Sequence, residues 1–116
     1  MKDLNPPMPR PTAQVAPYME ALGAELVVEF LLQFGGAELY LAESPKGRSE
    51  LEALVGPQKA KALANHPSIG QYARVPLAKP WLASVLRWQG HSNAVIARKL
   101  HVSDVSVRRW EKAGKK

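Results

Sequence analysis

Apolar residues recur along residues 17–34 at helical spacing. Met19, Leu22, Leu26, Phe30 and Leu31 form a stripe, Phe34 extends it by one turn, and Val27 and Val28 widen it. A period near 3.6 marks an amphipathic helix with one buried face, and Glu20, Glu25 and Glu29 take the other side. Pro17 suits the first helical position, where a missing N–H costs nothing. The pattern stops at "FGG", where Gly35 can take the left-handed C-terminal conformation. One helix over 17–34 is therefore expected.

The period then changes. "AELYLAES" reads as a short strand, with Leu39 and Leu41 pointing one way and Tyr40 the other. A lone strand leaves its backbone edges unsatisfied, so it needs a partner. Within the chain only "QYARV", 71–75, is a candidate; the same strand from a second copy is the alternative. Ser49 with Glu52 reads as a capping box opening a helix over "ELEALVG", and Gly56-Pro57 separates it from a second short helix in "PQKAKALANH". Residues 67–80, rich in Pro and Gly, form a junction. Pro80 then starts a helix with Trp81, Val85 and Trp88 on one face and Leu82 and Leu86 beside them, and Gly90 stops it. No internal repeat is evident.

Two more helical patterns close the chain. Ser92 is a natural N-cap for "NAVIARKL", in which Ile96, Ala97 and Leu100 face inward. "HVS" makes a tight turn with Val102 buried. Ser103 caps the next helix, where Val107 and Trp110 share the inner face. This is the spacing of a helix-turn-helix, whose second helix lies in the DNA major groove. The three tryptophans, Trp81, Trp88 and Trp110, are expected to form one small cluster beneath the two helices.

Charge sharpens that reading. The net charge is +6, yet residues 1–86 hold eight Lys/Arg against eight Asp/Glu. Residues 87–116 hold eight Lys/Arg against only Asp104 and Glu111, so the whole excess sits there. A field so concentrated attracts a polyanion. Ser103, Asp104 and Val105 lie at the helix start, the end that usually reaches base edges. Arg108 or Arg109 can take guanine O6 and N7 together, a contact worth roughly 1–3 kcal/mol of discrimination. Lys112 extends the same outer face and can also reach phosphate. Ser92, Arg98 and Lys99 are placed for phosphates, adding affinity and salt dependence without sequence information. The expected partner is double-stranded DNA.

Other chemistry is thin. There is no cysteine, hence no disulfide or thiolate metal site. His66, His91 and His101 are not at ligand spacing, so no metal is expected, and no cofactor motif, nucleophile or general acid/base pair converges. The reading is not an enzyme. No apolar run approaches the roughly 20 residues that span a bilayer, so no membrane partner is expected. The start, "MKDLNPPMPRPTAQVAP", lacks the apolar core of a signal peptide, which makes the cytoplasm the expected location.

With these pieces in order, the chain resembles the Mor transcription activator family, the middle operon regulators of phages and prophages. The likeness spans about residues 26–112, through "FGGAELYL", "LEALVG", the "G" and "VP" of "GQYARVP", and "WQGHSNAVIARKLHVSDVSVRRW". His101 stands where the family usually has glycine. "AES" intervenes before Pro45, where the family commonly has proline directly after the strand. The resemblance implies a mainly α-helical homodimer. Its N-terminal helical dimerisation region would carry one short β-strand, paired as an intersubunit ribbon, and its C-terminal part would be the helix-turn-helix. Leu26, Phe30, Phe34, Gly35, Gly36, Leu39, Tyr40 and Leu41 would then belong to the dimer interface. It further implies binding of an inverted repeat and contact with RNA polymerase to activate a promoter. The expected organisation is a flexible Pro-rich arm over 1–16, a dimerisation domain over 17–76 and a DNA-binding domain over 77–116. Two alternatives stand beside it: a phage packaging or structural DNA-binding protein, and a basic helical module that binds an acidic protein partner.

Overall fold

The computed structural model describes residues 7–41 and 50–114. They divide into two compact units, one of residues 11–78 and one of residues 7–10 with 79–114. The described residues form seven helices and a two-stranded antiparallel sheet.

In the first unit the expected long helix is two helices. α1 spans Ala16–Leu22 and α2 spans Ala24–Phe34, with Gly23 at φ 91° between them. That φ lies in a region closed to most side chains but open to glycine, so the backbone breaks there although the apolar stripe continues through it. Thr12 prepares α1: its carbonyl accepts from the Val15 and Ala16 N–H groups at 3.0 and 2.9 Å. At the other end Lys59 Nζ donates to the Leu22 carbonyl at 3.1 Å, satisfying one of the acceptors that a helix end leaves open. Val27, Val28, Phe30, Leu31 and Phe34 of α2 are buried. Phe30 lies between Tyr18 and Phe34, with ring centroids 5.5 Å away on each side. Burial lifts the Tyr18 phenol above its ordinary pKa of 10.0.

The two glycines after α2 have roles other than the expected one. Gly35 has φ −54°, open to any residue, whereas Gly36 takes the positive φ of 86°. Gly35 is instead required by space: a Cβ there would lie 2.7 Å from the Leu31 carbonyl oxygen and 3.3 Å from that of Pro76. The close approach sets up the sheet. β1, Glu38–Tyr40, pairs antiparallel with β2, Tyr72–Arg74, in the register Glu38↔Arg74, Leu39↔Ala73 and Tyr40↔Tyr72. Bonds from Gly36 N–H to the Val75 carbonyl and from Val75 N–H to the Ala37 carbonyl extend the pairing. Of the two partners open to this strand, one in the chain and one from a second copy, the structure pairs it with the one in its own chain. "QYARV", the weak candidate, supplies it. Leu41 is buried while Tyr40 and Tyr72 stay 62% and 79% exposed, their rings 4.9 Å apart.

α3, Glu50–Val55, and α4, Pro57–Asn65, complete this unit, joined through Gly56 at φ 87°. The capping box expected at Ser49 lies outside the described residues. α4 packs on α1, and His66 beyond it bonds Glu20 at 2.9 Å through Nε2. His66 Nδ1 accepts from the Ser68 N–H, which leaves the proton of a neutral ring on Nε2, facing the carboxylate.

The second unit contains α5, Lys79–Trp88, α6, Asn93–Leu100, and α7, Asp104–Gly114. Each of the three packs on the other two. Trp81, Leu82, Ala83, Val85 and Leu86 of α5 meet Ile96, Ala97 and Leu100 of α6 and Val107 of α7 in the buried core. The tryptophans divide. Trp81 is buried and Trp110 half-buried, but Trp88 is 41% exposed at the last residue of α5, so they do not form the single buried cluster expected. The Trp81 indole N–H donates to the Pro9 carbonyl at 3.3 Å. That bond gathers residues 7–10 of the arm into this unit, whereas residues 11–16 belong to the other.

Candidate nucleic-acid interface

The interface is built from the N-cap upward. Ser92 Oγ accepts from the Val95 N–H at 3.3 Å, fixing the start of α6. α6 ends at His101, whose φ of 58° and ψ of 47° place it in the left-handed region. A left-handed residue at this point lets the chain turn while its N–H still caps the helix; the His101 N–H donates to the carbonyls of Ala97 and Arg98. Histidine here occupies the left-handed position that glycine most often takes at a helix C-terminus. Three residues, His101–Ser103, join the two helices, and Val102 within them is half-buried, less than expected. Ser103 Oγ accepts from the Ser106 N–H at 3.2 Å and so caps α7.

α7 has two faces. Val107 is wholly buried and Trp110 half-buried on the inner one. Asp104, Val105, Arg108, Arg109 and Lys112 are exposed along the outer one, with Ser103 exposed at its start. Ser92, Arg98 and Lys99, the expected phosphate contacts, are exposed on the preceding cap and helix.

Two ion pairs arrange the charge. Asp104 Oδ2 lies 3.4 Å from Arg108 Nη1, one helical turn away. The acid at i and base at i+4 were a visible signal of this pairing, the favourable order on a helix surface. Arg87, at the end of α5, was not legible as a structural residue. Its Nη2 donates to Asn93 Oδ1 at 2.8 Å, and its Nε lies 3.6 Å from Glu111 Oε2. One guanidinium therefore ties α5 to the first turn of α6 and to α7. Glu111 is 24 residues on, and no local spacing announces it. With Arg87 so engaged, the exposed cations of this unit are Arg98, Lys99, Arg108, Arg109 and Lys112 among the described residues after Lys79.

The expected dimer residues are distributed differently. Phe30, Phe34 and Leu41 are buried in the core of their own chain. Leu26, Gly35 and Leu39 are half-buried, and Gly36 and Tyr40 are exposed. Of the expected interface set, only these last five have surface to offer a second molecule. Among the described residues no third strand pairs with β1 or β2.

Among the described residues no group of three or more His, Asp or Glu side chains is placed to hold a metal ion. No helix among them is long and apolar enough to cross a membrane. Comparison with family models, with curated proteins and with solved structures finds no match.

Proposed function

We propose that this chain is a sequence-specific DNA-binding transcriptional regulator, of the phage or prophage activator type, that engages an inverted repeat as a homodimer. One observation carries the reading. α7 is held through Val107 while Asp104, Val105, Arg108, Arg109 and Lys112 stand together on its outer face, in the part of the chain that holds all the excess positive charge. A helix fixed from behind and charged in front, preceded by a capped helix and a short turn, suits insertion into a major groove. Arg98 and Lys99 in the last turn of α6 suit the flanking phosphates.

The dimer is supported by β1, which among the described residues pairs with β2 alone, and by the exposed Tyr40 on it. In this reading Leu39, Tyr40, Gly36 and Leu26 face the second copy, and Phe30, Phe34 and Leu41 stiffen the same surface from inside. Two helix-turn-helix modules related by a two-fold axis would place half-sites about one helical turn, or a multiple of it, apart. Activation through RNA polymerase rests on the resemblance to the Mor family. A reporter promoter that falls silent when the protein is supplied would contradict activation.

Base reading and phosphate clamping separate in titrations against salt. Arg108→Ala or Arg109→Ala should flatten the preference between a specific and a scrambled duplex. Lys99→Ala should weaken both duplexes alike and reduce the salt slope by about one unit. Equal behaviour of all three variants would refute the assignment. A packaging role would show as a ring oligomer in light scattering. A role in binding an acidic protein would show as retained partner binding without DNA affinity.

A further inference from the structure

We infer that Val105 reads the C5-methyl of a thymine lying beside the guanine that Arg108 takes, so that α7 recognises a methyl-bearing pyrimidine next to a guanine. The inference rests on the DNA-binding reading above and adds the chemistry of one contact within it.

Val105 is out of place on structural grounds. It lies in the first turn of α7 and is 50% exposed, while Val107 two residues later is fully buried. Valine is a weak helix former, because its branched side chain loses rotamer freedom against the preceding turn. A half-exposed helix position ordinarily favours a straight-chain or polar residue. Isolated exposed apolar residues are common on protein surfaces, but this one sits among Asp104, Arg108, Arg109 and Lys112.

Its neighbours decide what it can face. Phosphate is a poor partner, since valine has no donor and the Asp104 carboxylate beside it repels anions. A base edge is a good one. The thymine methyl is the apolar feature of the major groove, and aliphatic side chains contact it. Valine strongly prefers one χ1 rotamer in a helix, so its methyls project in a fixed direction before binding. Arg108 stands three residues on, on the same face, and so adjoins Val105 across the helix surface. The Asp104–Arg108 pair at 3.4 Å steadies that guanidinium and offsets the carboxylate that would otherwise disfavour the groove. The two side chains are thus neighbours on the outer face of α7, so the bases they take should be neighbours as well.

The experiment uses the full chain and a duplex recovered by selection from random sequence. Each thymine in turn is replaced by uracil, which keeps base pairing and removes only the methyl. Wild type should lose roughly fourfold in affinity at one thymine per half-site, the effect of one buried methyl. That thymine should lie beside the guanine whose preference Arg108→Ala abolishes. Val105→Ala should bind thymine and uracil duplexes equally while keeping its preference for the guanine. Uracil tolerated at every position by wild type would overturn the inference and leave sequence-specific binding intact. So would a uracil effect that persists in Val105→Ala. A chain that selects no duplex at all would overturn the DNA-binding reading, and this inference with it.

Discussion

The two units hold their exposed side chains by different means. In residues 79–114 the elements that aim α7 are local: Ser92 and Ser103 each cap a helix from three residues away, and His101 makes the turn between them. In residues 11–78 the ribbon depends on partners far apart in sequence. Glu38 and Arg74, 36 residues apart, form an ion pair across it, and Gly35 lets the chain return against Pro76 and Leu77. The outer face of α7 is exposed and carries little of the fold, so its side chains can change without disturbing the core. The glycine pair before β1 has no such freedom, because a single methyl at Gly35 meets backbone. The exposed charge of α7 and the backbone constraint at the glycine pair are therefore separated along the chain.

Substitutions at these points test the contrast, beginning with the ribbon. Gly35→Ala should destabilise the protein by about 1–3 kcal/mol, since backbone cannot give way as a flexible side chain can. Gly36→Ala should cost about 1–2 kcal/mol through its positive φ instead. Chemical denaturation measures both; a Gly35→Ala variant as stable as wild type would mean that the close approach is dispensable. Ser92→Ala and Ser103→Ala should each cost about 1 kcal/mol, the worth of a helix N-cap. The smallest effect has the opposite sign. His101→Gly should stabilise by about 0.5–1 kcal/mol, because glycine removes the left-handed penalty while giving back some unfolded-state entropy. Loss of stability there would show that the histidine ring contributes contacts of its own.

The same contrast explains what the sequence disclosed. Caps, turn and inner face of the C-terminal pair follow from spacings of three or four residues, and Ser92, Ser103, Ile96, Leu100 and Val107 could be assigned from them. The break at Gly23 could not, because Leu22 and Leu26 keep helical spacing across it and periodicity does not register φ. β2 was faint for a different reason. Tyr72–Arg74 has only Ala73 turned inward, and its pairing with β1 is fixed by contacts distant in sequence. Arg87 was hidden likewise, since its partners lie on two other helices. Asp104 and Arg108 are both expected on the outer face; their four-residue spacing also permits an ion pair, which was not among the expectations and which the structure shows.

On the proposed function, the outer face of α7 reads DNA sequence. Selection from a random duplex library at near-physiological salt, with the Arg108→Ala/Arg109→Ala variant alongside, tests it most directly. Wild type should enrich an inverted repeat and the variant should enrich none. No enrichment with wild type, with equal retention of DNA by the variant, would contradict it.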